Sequence, residues 1–78
     1  MIKKETLNNN LNSSRVYMTV KQKQVLEYLA KGLKNKEIAV KMELSVPTVK
    51  LHISKIFLRL EVHTRTAAVV KAQKLGLI

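Results

Sequence analysis

Apolar residues recur at helical spacing on both sides of Ser45. Before it, Ile38, Ala39 and Met42 form one short set that ends at Leu44; after it, Val46, Val49, Ile53, Ile56, Phe57 and Leu60 continue a stripe with a period of about 3.6 residues. Ser45 suits the cap between them, because a short side-chain oxygen accepts a hydrogen bond from one of the orphan N–H groups that open a helix. Pro47 agrees, since proline has no N–H and is tolerated in a first turn. Two helices joined by a tight turn are therefore expected, the second running from about Val46 to Leu60. With Val49 at the centre of its buried face and about 100° per residue, the opposite face carries Pro47, Lys50, Leu51, Ser54 and Lys55. That face holds no acid. The charged residues between Ser45 and Leu60 are Lys50, Lys55 and Arg59, all positive, on a helix roughly 22 Å long at about 1.5 Å per residue. A short capped helix, a turn and a longer basic amphipathic helix make the helix-turn-helix arrangement, whose second helix can enter the DNA major groove.

The flanking pattern supplies two more helices. Thr19-Val20-Lys21-Gln22 matches a capping box, with Met18 as the apolar residue just outside, and Val25, Leu26, Leu29 and Ala30 are expected to form the core face. Gly32 is the left-handed terminator. In Lys34-Asn35-Lys36-Glu37, Asn35 is the expected cap of the next helix, and the Glu37 carboxylate suits the positive end of its dipole. Lys36 beside that end makes a candidate phosphate site with the backbone around Asn35; two solvated lysines at a helix start are the plainer alternative. Thr64 can cap a fourth helix from Arg65 to about Leu75, stopped by Gly76. Its apolar set, Ala67, Ala68, Val69, Val70, Ala72 and Leu75, is broader than one stripe needs. Part of that arc, with Val69, Val70, Ala72 and Gln73, is expected to serve as a dimer face, although a wide apolar arc on a final helix is as often simply core.

Charge then narrows the partner. Fifteen Lys and Arg stand against five Asp and Glu, a formal net charge of +10 over 78 residues. A polyanion is implied. An anionic membrane would also attract it, but a surface-lying helix shows Trp, Phe or Leu opposite its lysines, and this chain has no Trp and one Phe. Residues 1–17 are polar and irregular around Asn8-Asn9-Asn10-Leu11-Asn12-Ser13-Ser14, a run that cannot bury enough apolar surface to offset its ordering entropy. They are expected to be a flexible arm or linker. Lys3, Lys4 and Arg15 could touch DNA, but a solvated tail is the favoured expectation. No cysteine means no disulfide and no thiolate zinc site, which fits a reducing cytosol. No stretch has the length of a signal peptide or a membrane helix, so a cytoplasmic, non-membrane protein is expected.

Taken together, four stretches resemble the DNA-binding domain of the LuxR/FixJ (GerE-like) bacterial regulators. They are Met18-Thr19-Val20-Lys21-Gln22-Lys23-Gln24-Val25-Leu26, Gly32-Leu33-Lys34-Asn35-Lys36-Glu37-Ile38-Ala39, Ser45-Val46-Pro47-Thr48-Val49-Lys50-Leu51-His52 and Arg59-Leu60-Glu61-Val62-His63-Thr64-Arg65. They occur in the family's order and at its spacing, from about Met18 to Ile78. Gln22 and Gln24 depart from the family's usual glutamates, and Lys34 replaces its capping serine, so the second helix should start less firmly. The resemblance implies an all-α, tetrahelical helix-turn-helix domain over residues 18–78. It implies a third helix in the major groove and a homodimer through the fourth. By resemblance Lys50, Leu51 and Ser54 fall at base-facing positions, and Lys36, Ser45, Thr48 and Lys55 at or near strand-contacting ones; Asn35 joins the latter through its backbone. Lys50 can donate to guanine O6 and N7, Leu51 can pack on a thymine methyl, and Ser54 can serve more than one base. The partners implied are double-stranded DNA, a second copy of the chain and, for a transcription regulator, RNA polymerase. Such domains are usually tethered to a sensor or receiver; with no aspartate the chain holds no phosphoacceptor, so it is either a stand-alone regulator or one separated from its sensor.

Enzyme chemistry finds no foothold. His52 and His63 are the only histidines, the five glutamates are scattered, and no pair has metal-ligand or acid/base spacing on one helix face. His52, on the flank of the long helix, is expected to be a packing residue or a phosphate neighbour. No cofactor, metal or catalytic residue is expected. RNA is a weaker partner, because two tyrosines and one phenylalanine offer no stacking platform. The competing expectation from another class is an antagonist that dimerises with a larger relative and reads no DNA. The acid-free cluster of Lys36, Lys50 and Lys55 argues against it.

Overall fold

The computed structural model describes residues 16–78, which form four helices and no strand. These are α1 (Val20–Ala30), α2 (Asn35–Met42), α3 (Val46–Leu60) and α4 (Arg65–Lys74). The fold is the all-α helix-turn-helix domain that the pattern predicts. Residues 1–15 of the expected arm lie outside the described residues. Packing already begins at Val16, which is partly buried against the core, and Arg59 Nη1 donates to the Tyr17 carbonyl at 2.7 Å.

Three helices begin on hydroxyl caps. Thr19 Oγ1 accepts from the Gln22 N–H at 3.1 Å while Gln22 Oε1 accepts from the Thr19 N–H at 3.0 Å, completing the capping box. Ser45 Oγ accepts from the Thr48 N–H at 3.2 Å, and Thr64 Oγ1 from the Ala67 N–H at 3.0 Å. The second helix corrects the expectation for Asn35. Asn35 is the first helical residue, and Lys34 holds the extended cap position, where its N–H donates to Glu37 Oε1 at 2.7 Å. A lysine side chain has no acceptor, so the forward half of the box is missing and Glu37 supplies the return half alone.

All four helices close the same way. A left-handed residue follows each, and the next N–H reaches back to the carbonyl five residues earlier: Leu33 to Tyr28 (3.1 Å), Leu44 to Ala39 (2.9 Å), Val62 to Phe57 (3.0 Å) and Leu77 to Ala72 (2.8 Å). Gly32 and Gly76 take the left-handed position after α1 and α4, as expected. After α2 and α3 it is taken by Glu43 (φ 56°) and Glu61 (φ 57°), which lack glycine's freedom there.

The core sits where α3 meets the other three helices. Val49, Ile53, Ile56 and Leu60 supply the α3 side, and Met18, Val25, Leu26, Leu29, Ile38, Ala39, Ala68 and Ala72 complete it. Two expected assignments change. Ala30 is exposed, because it is the last residue of α1 and lies beyond Leu29, where that helix's contribution to the core ends. Ala72 is fully buried, since with Ala68 it forms the narrow seam on which α4 seats, and it therefore offers no surface to a second copy.

Candidate nucleic-acid interface

Because one face of α3 is consumed by the core, the other is turned outward as a unit. Val49 is fully buried, while Pro47, Lys50, Leu51, Ser54 and Lys55 are exposed. Leu51 keeps 53% of its surface accessible, an apolar side chain held in water within a row of cations and hydroxyls. The three expected base-reading residues, Lys50, Leu51 and Ser54, thus share one continuous surface with Lys55 at its edge.

At the start of α3 the two expected strand-contacting hydroxyls are tied together. Ser45 Oγ and Thr48 Oγ1 lie 2.9 Å apart, and Ser45 Oγ also caps the Thr48 N–H. Two hydroxyls own two protons, and their mutual bond uses one. Whichever way it points, one O–H remains to donate outward, beside the positive end of the helix.

The other expected strand contacts lie at the start of α2. Lys36 is exposed and Asn35 half-buried. The Asn35 side-chain carbonyl accepts from Arg65 Nη2, which leaves its amide N–H groups as donors. A groove runs between this corner and α3, lined by Asn35, Lys36, Lys50 and Arg65 with Val46 and Val69 beneath. Ser54, His63 and Thr64 line its continuation past Lys50. His52 is half-buried on the α3 flank. Among the described residues no cluster of three His or Glu side chains is placed to hold a metal ion.

Arg65 is the residue that sequence reasoning passed over. Its second bond, from Nη1 to the Leu33 carbonyl at 3.1 Å, joins the first turn of α4 to the loop before α2. The signal available was its place as the last residue of the fourth motif. On α4, Val70 and Gln73 are exposed and Val69 is half-buried. With Ala72 withdrawn into the core, the surface left to a second copy is Val69, Val70 and Gln73.

Residues 16–72 match the family model for bacterial regulatory proteins of the luxR family. The chain belongs to that family. It is 39% identical over 67 residues to the HTH-type transcriptional regulator AlkS of Pseudomonas putida, covering 86% of this chain and 8% of AlkS. To the response regulator protein VraR of Staphylococcus aureus it is 41% identical over 61 residues, covering 78% of this chain and 29% of VraR. Among solved structures it is similar to the response regulator ChrA of a heme-sensing two-component system, with a TM-score of 0.78 and 35% identity over 80% of this chain and 31% of that one. The chain thus spans less than a third of each of these relatives. Family and relatives alike are regulators, and this luxR-family domain is a helix-turn-helix module of DNA-binding transcription regulators, not an enzyme. Among the described residues no helix is long and apolar enough to cross a membrane.

Proposed function

We propose that this domain binds double-stranded DNA sequence-specifically as a homodimer, with α3 in the major groove, and serves a cytoplasmic bacterial transcription regulator. Lys50, Leu51 and Ser54 read base edges. Asn35, Lys36, Ser45, Thr48 and Lys55 hold the flanking strands, and Val69, Val70 and Gln73 form the contact between copies. RNA polymerase, the natural partner of a transcription regulator, is assigned no residue.

The observation that carries the proposal is the outward face of α3: two lysines, a serine and an accessible leucine on one acid-free surface, with hydroxyls and a lysine at the adjoining helix starts. An α-helix fills the major groove, where each base pair shows a distinct donor and acceptor pattern. The basic corners fix register without reading sequence.

Selection from a random duplex pool, followed by footprinting on the selected site and sedimentation with and without it, tests all parts together. A palindromic selected site, protected over both halves and bound by two chains, is expected. Failure to retain any duplex at low salt would overturn DNA binding and favour the antagonist. A single protected half-site bound by one chain would overturn the dimer.

A further inference from the structure

Arg65 stands on the first turn of α4, yet both of its hydrogen bonds leave that helix. Nη1 donates to the Leu33 carbonyl at 3.1 Å and Nη2 to the Asn35 side-chain carbonyl, so one planar group spans the loop before α2 and the first residue of α2. Both acceptors are neutral. The same guanidinium lines the groove facing Lys50 and, further along, Ser54. It is therefore a strut from the first turn of α4, which follows the end of α3 at Leu60 after residues 61–64, to the corner that carries Asn35 and Lys36, and it lies in the groove that this corner shares with Lys50. The corner needs one: α2 starts on a lysine that cannot cap with its side chain, so apart from the Arg65 bonds the described residues hold that helix start through Glu37, which accepts from the Lys34 N–H.

We infer that Arg65 is a positioning residue: its fork sets the distance between the strand-contacting corner at Asn35 and Lys36 and the base-reading face of α3, and through that distance the sequence preference of the domain. The inference rests on the DNA-binding proposal above. A protein that touches backbone and bases at once can satisfy both only when the two sets of donors are spaced as the groove is. Without the strut the corner still attracts phosphate, but base readers and strand contacts no longer engage together. The planar fork is also what a lysine lacks: an ammonium carries the charge but cannot hold two acceptors in one fixed plane.

The test compares R65K, N35A and the double variant with the parent on two probes: the duplex selected from the random pool and an unrelated duplex of equal length. R65K is expected to bind the selected duplex about tenfold more weakly, the scale of one charge-assisted hydrogen bond, while binding to the unrelated duplex and the salt slope stay the same. The bonds are solvent-exposed, so the melting temperature should move little. N35A removes a strand contact together with the strut, so it should weaken binding to both probes, more on the selected duplex, and in its background R65K should cost less than it does in the parent, because the strut is already broken. Equal losses on both probes in R65K, parent-like binding of R65K to the selected duplex, or additive losses in the double variant would each overturn the inference. Amide resonances of residues 33–37 in the free protein should shift in R65K. If they do not, the strut is refuted whether or not the parent selects a duplex; if they shift but no duplex is selected, it is the DNA-binding proposal that falls.

Discussion

Glu61 ends α3 with φ at 57°, a conformation in which its Cβ crowds the following carbonyl. The strain is about 1 kcal/mol, and a glycine would relieve it while adding roughly 0.5 kcal/mol of unfolded-state freedom. E61G should therefore stabilise the domain slightly, and E61V, with a branched Cβ in the same position, should destabilise it by more than about 1 kcal/mol. Urea denaturation of the three proteins checks the order, and a valine variant as stable as the parent would mean that the turn relaxes rather than holds. Lys50 stands at the other end of the helix with its side chain in solvent. K50A should leave stability unchanged, cost about 1–3 kcal/mol on the selected duplex and relax preference at one base position. Repeating the pool selection with the variant reads this directly, and an unaltered preference would remove Lys50 from the base-reading set.

At the scale of the elements, three of the four helix starts were legible because their chemistry is announced in the residue type, while that of α2 was not, since its cap position is a lysine. Thr19, Ser45 and Thr64 each carry the short hydroxyl that satisfies an opening N–H, and each does so in the fold. Glycine marks the ends of α1 and α4, and the end of α3 at Leu60 was legible from its apolar stripe, but the residue that would turn left-handed after α2 and α3 was not. Nothing in the side chain of Glu43 or Glu61 favours a left-handed turn, so α2 and α3 stop where their apolar stripes run out and tertiary packing holds the turn. The outward face of α3 was readable from period alone, since Val49, Ile53, Ile56 and Leu60 fix the rotation of the helix. α4 was not, because six apolar residues over one short helix leave its rotation open. The fold seats it on Ala68 and Ala72, which leaves Val70 as the apolar residue most exposed on that helix, at 44%. V70E should thus separate copies without touching the core, whereas V69E, half-buried, mixes both effects. In sedimentation the V70E variant should stay monomeric at concentrations where the parent pairs on DNA, with an unchanged melting curve. A dimer of undiminished affinity would move the contact elsewhere on the surface. Arg65 escaped sequence reasoning for a related cause: its partners are a carbonyl and an amide about 30 positions away, and neither is predictable from spacing along one helix.

For the molecule as a whole, the question is how a net charge of +10 divides between attraction and discrimination. Lysines that meet phosphate act alike on every duplex, because each neutralised phosphate releases counterions and contributes about 0.9 to the slope of log affinity against log salt. Lysines that meet bases add little to that slope and much to the difference between sites. Under the DNA-binding proposal Lys36, exposed at the start of α2 across the groove from α3, belongs with the first kind, and Lys50 with the second. K36A should weaken binding to selected and unrelated duplexes by the same factor and lower the salt slope by about 1, in contrast to K50A, whose loss concentrates on the selected site. Titrations of both variants at several salt concentrations on both duplexes separate the two roles in one data set. A K36A loss confined to the selected duplex would reassign Lys36 to base reading. Since this chain spans only 29% of VraR and 8% of AlkS, the division has a further consequence for any longer regulator that carries such a domain. On the homodimer proposal the salt-dependent attraction belongs to the domain alone, while the spacing of two base-reading faces is set by the contact between copies, which is where another domain would act.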